Sequence, residues 1–185
     1  MNLQKYWSND RKNNHSTNKL TIVLLVIYLI ALCWILLFKL GVRFSYMENR
    51  ELNLVPFREP LMLNDKIVFG EMIMNVVIFV PLGIYAGMLF TRWSFGKNLF
   101  FFFLTSLIVE ALQFIFRVGA FDITDTITNA LGGIIGLMIF KAIEKVFKNS
   151  VKAQKFINVI AATGTALMIL LLLLLKLDML PIRYR

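Results

Sequence analysis

Five stretches of this chain, at about residues 20–40, 67–90, 98–116, 123–140 and 156–177, are each apolar over roughly the length needed to cross a bilayer. A helix gains ~1.5 Å per residue, and a hydrocarbon layer of ~30 Å therefore takes about 20 apolar residues. A 185-residue chain that is 58% hydrophobic, with its apolar residues in such blocks, cannot hide them in one soluble core. In hydrocarbon every backbone polar group must be satisfied internally, which favours helices. The expected fold is all-α, a polytopic integral membrane bundle of about five transmembrane helices. A basic tail precedes the first block, but that block is too long for the apolar part of a signal peptide and no small-residue cleavage site follows it. It reads as a retained span.

These blocks divide the chain into a basic tail at 1–19, a membrane domain at 20–140, a basic linker at 141–155, and a fifth span with a short tail at 156–185. Five spans put the termini on opposite sides. With the N-terminus inside, the inner segments hold Lys5, Arg11, Lys12, Lys19, Arg92, Lys97, Lys141, Lys145, Lys148, Lys152 and Lys155, against only Asp10 and Glu144. Basic residues concentrate on the cytoplasmic side of membrane proteins, so the expected orientation is N-terminus cytoplasmic and C-terminus outside, in a cell membrane. The formal charge of +9 is thereby assigned to the inner loops, and no nucleic-acid partner is expected. In the linker, lysines alternate with Ile143, Val146, Phe147 and Val151, a basic amphipathic pattern suited to an anionic leaflet.

Cys33 is the single cysteine and lies in the first apolar block, so no intrachain disulfide forms. His15 is the single histidine, in the polar tail, and one His with one distant Cys makes no ordinary zinc site.

Charged side chains inside spans cost about 2.5–3.5 kcal/mol each on insertion scales, so their positions are informative. Glu71 and Asn75, four apart, share a face of the second span. Glu110, Gln113 and Arg117 share a face of the third, and Asp122, Asp125 and Asn129 repeat the spacing in the fourth. With the orientation above, all of these fall towards the outer side. The four carboxylates exceed Arg117, even with Arg58 of the long outer loop added, which favours a polar ligand-binding cavity over packing alone. Asp122 is equally readable as a helix N-cap, and Asp125 as a favourable charge in a first helical turn. No serine, cysteine or histidine nucleophile is expected in this group. No metal is expected either, Asp122 and Asp125 being the one pair that would offer a cation two carboxylates. No cofactor is indicated. Gly132 and Gly136 form a GxxxG suited to close helix packing. Pro81 and Gly83 interrupt the second span, and Pro56 makes the outer loop extended at Val55.

In order along the chain, Asn53-Leu54-Val55-Pro56-Phe57, then Asn75 through Phe79 to Pro81 and Gly83, then Glu110, Gln113, Arg117, Asp122, Asp125, Asn129, Gly132 and Gly136, resemble the motifs of the VanZ-like membrane proteins. The resemblance covers about residues 20–140. It implies a role like that of the family's namesake, low-level resistance to teicoplanin, a lipid-tailed glycopeptide, in Gram-positive bacteria. It also adds the loop motif Asn53, Pro56, Phe57 and Arg58 to the candidate residues.

Three functions fit these observations. One is a non-enzymatic factor whose partner is a membrane lipid or lipid-tailed antibiotic. Another is an enzyme acting on a lipid-linked envelope substrate, with Glu110 as acid or base. The last is a small transporter, for which a homo-oligomer would supply the symmetry that five spans without a repeat lack.

Overall fold

A computed structural model describes the backbone of residues 3–38, 52–57, 62–63, 66–67, 70–116 and 121–176, and the side chains of 17–34, 52–57, 70, 72–116 and 121–170. Among these residues are five helices, α1 (Leu3–Phe38), α2 (Gly70–Leu89), α3 (Phe95–Phe116), α4 (Ile123–Phe147) and α5 (Ser150–Lys176). Each contains a stretch of at least 18 residues apolar enough to cross a membrane. The chain is a multi-pass helical membrane protein. Between α1 and α4 lie four two-residue strands, β1 (Leu52–Asn53), β2 (Met62–Leu63), β3 (Lys66–Ile67) and β4 (Phe121–Asp122). β2 and β3 pair antiparallel, and β1 pairs with β4 in parallel.

The bundle is organised around α2 and α4. Side chains at the interface of two helices normally hold their backbones 8–10 Å apart, and glycine removes that spacer. A β-carbon added at Gly132 would fall on the carbonyl oxygen of Val76, and one at Gly136 on that of Val80. One at Gly83 would fall on the carbonyl oxygen of Gly133 and lie 2.7 Å from the nitrogen of Leu137. Val76 on Gly132 and Val80 on Gly136 share one register, so α2 and α4 run parallel. The ring of Phe102, from α3, fills the space beside Gly133. Phe79, Leu82 and Phe102, all fully buried, form the centre of this packing.

Pro81 lies inside α2, which continues through it to Leu89. Proline has no N–H and its ring crowds the preceding turn. Within that turn the carbonyl of Ile78 accepts a hydrogen bond from the Tyr28 hydroxyl of α1 at 2.8 Å.

The first span extends further towards the N-terminus than its apolar block, because α1 continues as helix through the polar tail from Leu3. The basic linker is likewise almost entirely helical. α4 continues to Phe147, Lys148 adopts the left-handed conformation at its C-cap (φ 49°), and Asn149 starts α5 by accepting from the Lys152 N–H at 2.9 Å. α5 then packs on α1 through a buried polar network. Thr21 is fully enclosed; its hydroxyl donates to the Thr17 carbonyl (2.9 Å) and accepts from Gln154 (2.8 Å) and Asn158 (2.9 Å). Gln154 also donates to the Asn18 side chain at 3.0 Å. In lipid, such bonds hold helices together where the hydrophobic effect cannot.

Candidate functional site

A second group of buried polar residues gathers where α4 begins. Asp122 has extended backbone (φ −122°, ψ 121°), and its Oδ1 accepts the Thr124 N–H at 2.7 Å, so it is the N-cap of α4. Asp125 sits in the first turn, where the positive end of the helix dipole favours a carboxylate. The N-cap reading of Asp122 is therefore realised, and the helix terminus offsets part of the negative charge that the sequence left unbalanced.

The loop motif is tied to the same point. The β1–β4 ladder sets Leu52 opposite Phe121 and Asn53 opposite Asp122. Asn53 Nδ2 then donates to Asp122 Oδ2 at 3.1 Å. After Pro56, Phe57 turns into the left-handed region (φ 56°), which costs a non-glycine residue about 1–2 kcal/mol. Its N–H donates to Thr124 Oγ1 at 3.1 Å, fastening the turn over the N-terminus of α4. The side chain of Arg58 lies outside the described residues.

From α3, Glu110 is only 2% exposed, and its Oε2 accepts the backbone N–H of Asp122 at 3.3 Å. One turn to either side are Gln113 and Ser106, both buried. Ser106 Oγ accepts from Asn129 Nδ2 at 2.9 Å. A serine does enter the group, contrary to the sequence expectation, but the side chain bonded to its oxygen is an amide, not a base. The signal for it was present, since Ser106, Glu110 and Gln113 follow one helical face. Thr124, Thr126 and Thr128, also missed, line the first turns of α4 and are buried.

Asn75 is buried on α2, within about one helical turn of the height of Asn129 by the α2–α4 register. Three side-chain atoms here, Asn75 Nδ2, Thr126 Oγ1 and Asn129 Oδ1, have no hydrogen-bond partner among the described residues. A buried polar group left unpaired costs about 1–3 kcal/mol, which makes these three atoms a costly feature of the interior. Among the described residues no three of His, Cys, Asp and Glu gather. The side chains of Glu71 and Arg117 lie outside the described residues. Pro81, Gly83, Gly132 and Gly136 belong to the helix packing beneath.

The structure thus brings a buried carboxyl group, amides and hydroxyls together beside a loop folded over a helix N-terminus. A family profile described as VanZ/LLP1 matches residues 25–148. The chain is also 39% identical over 153 residues to Protein VanZ of Enterococcus faecium, which covers 80% of this chain and 88% of that protein. The chain belongs to the VanZ/LLP1 family. No solved structure matches it. The VanZ/LLP1 match begins inside α1 and ends at the C-cap of α4, so it contains every residue of the cluster and leaves α5 beyond it.

Asp122→Ala is expected to lower the stability of this VanZ-family fold by about 0.5–2 kcal/mol through loss of the cap alone, and further through release of Asn53. Asp122→Asn keeps a good capping oxygen and should remain near the parent. Thermal unfolding of the detergent-purified proteins distinguishes the two.

Proposed function

We propose that this VanZ-family protein is a non-enzymatic membrane factor. In this reading it lowers susceptibility to teicoplanin-type antibiotics by engaging a membrane lipid or the antibiotic's lipid-tailed form at the outer leaflet. The observation that carries the reading is the enclosed Glu110 carboxylate beside the unpartnered polar atoms of Asn75, Thr126 and Asn129. An apolar groove supports a tailed ligand: Leu99, Phe100 and Phe103 of α3 face Ile127, Leu131 and Ile134 of α4 across about 550 Å³. A headgroup at Glu110 would leave its chain free to lie along that groove.

The same reading sets the N-terminus in the cytoplasm and the Glu110 end of the bundle outside. Its warrant is the run of lysines at 141, 145, 148, 152 and 155 at the other end. In a Gram-positive host, Glu110→Gln and Asp125→Asn are expected to abolish protection against teicoplanin, while membrane fractionation finds both proteins inserted at parental levels. Protection undiminished in both variants would sink the proposal.

A further inference from the structure

At the lysine-bearing end of the bundle, away from Glu110, a cavity of about 370 Å³ opens between the α2–α3 connection and the last turns of α4. Gly87 and Leu137 line it in the interior, and Phe90 and Trp93 form a wall. Those two rings stack at 4.1 Å and 10°, and both meet the edge of Phe101, at 5.7 and 5.9 Å. The wall is therefore fixed rather than adaptable.

Asn98 lines the same cavity and is only 4% exposed. Its Nδ2 donates to the Ser94 carbonyl at 3.1 Å, which sets the orientation of the amide. Its Oδ1 has no partner among the described residues. Lys141 also lines the cavity; its side chain is 58% exposed and its ammonium is 3.8 Å from Glu144. An exposed pair three residues apart is weak, and an ammonium has three donors, so Lys141 retains the capacity to bind an anion. Arg92 and Lys97, both exposed, add positive charge to the segment that flanks the cavity.

An occupant has to bring a hydrogen-bond donor to Asn98, a negative group to Lys141, and apolar surface to Phe90 and Trp93. Tryptophan and lysine together mark the depth of lipid headgroups. We propose that this cavity binds an anionic phospholipid with a hydroxyl-bearing headgroup, of the phosphatidylglycerol class. The phosphate meets Lys141, a glycerol hydroxyl donates to Asn98 Oδ1, and the acyl chains lie against the aromatic wall. The site is separate from the Glu110 cluster and does not depend on which side of the membrane either end faces.

Native mass spectrometry of the full chain, released from detergent with phosphatidylglycerol, phosphatidic acid and phosphatidylcholine in competition, tests this. The parent should retain phosphatidylglycerol in preference to phosphatidylcholine. Lys141→Gln should reduce retention of both anionic lipids about fivefold, the effect of one juxtamembrane cation. Asn98→Ala should reduce phosphatidylglycerol retention alone, since phosphatidic acid carries no glycerol hydroxyl for it. Lys148→Gln, outside the cavity, should change neither. Equal loss in Lys141→Gln and Lys148→Gln, or no preference in the parent, overturns the site, and displacement of the lipid by free glycerol phosphate overturns its assignment to a lipid. Should Asn98→Ala melt below the parent, the comparison of the two lysine variants decides.

Discussion

Gly136→Leu is expected to keep α2 and α4 from packing, with loss of most of the folded protein. The β-carbon alone would lie on the Val80 carbonyl oxygen, 2.9 Å from the Val80 carbonyl carbon and 3.0 Å from the α-carbon of Gly83. All three contacts are backbone, so no rotamer change relieves them. The two helices must separate, and in separating they also lose the contacts of Gly132 on Val76 and Gly83 on Gly133. Overpacking a single core site costs typically about 1–3 kcal/mol, and here three close approaches share one register, so the effect should lie at or above the top of that range. Gly164→Leu supplies the control, because a β-carbon there meets nothing within 4 Å. Thermal unfolding in detergent should show a large drop for the first variant and none for the second. Parental stability of Gly136→Leu would contradict the packing described.

Glu110→Gln is expected to have the opposite profile, with little change in folding and a large loss of function. Glutamine keeps the shape of glutamate, and its carbonyl oxygen can still accept the Asp122 N–H that Glu110 accepts at 3.3 Å. An amide is also cheaper to place in a span than a carboxylate, so insertion should not suffer. What disappears is the carboxyl group, which a cationic group on a ligand can hold in its charged form. Hydrogen bonds to charged groups contribute about 1.5–3 kcal/mol, which corresponds to roughly ten- to a hundredfold in affinity for a ligand that uses it.

The fold was largely legible because each of the five spans carries its own signal of length and hydropathy. Their ends were less so. Helix α1 extends into a tail of Asn, Lys and Ser that has no apolar period, and α4 continues through what reads as a basic linker, broken only at Lys148 and Asn149. An Asn before Ser150 was the available sign of a new helix start. In the site, spacing along single helices was readable, as for Glu110 and Gln113. Contacts between distant segments were not: a two-residue ladder has no periodicity, so nothing in the sequence aligned Asn53 with Asp122. The Thr21, Gln154 and Asn158 network was missed for the same reason, since its members lie 133 and 137 residues apart in the chain.

The central claim, that the Glu110 cluster engages a lipid-tailed ligand, is tested most directly by binding. Purified full-length protein in lipid nanodiscs is titrated with labelled teicoplanin and, in parallel, with a glycopeptide lacking the lipid tail. The account predicts preferential binding of the tailed compound by the parent and loss of teicoplanin affinity, by at least about tenfold, in Glu110→Gln. Equal binding of teicoplanin by the parent and Glu110→Gln would contradict it.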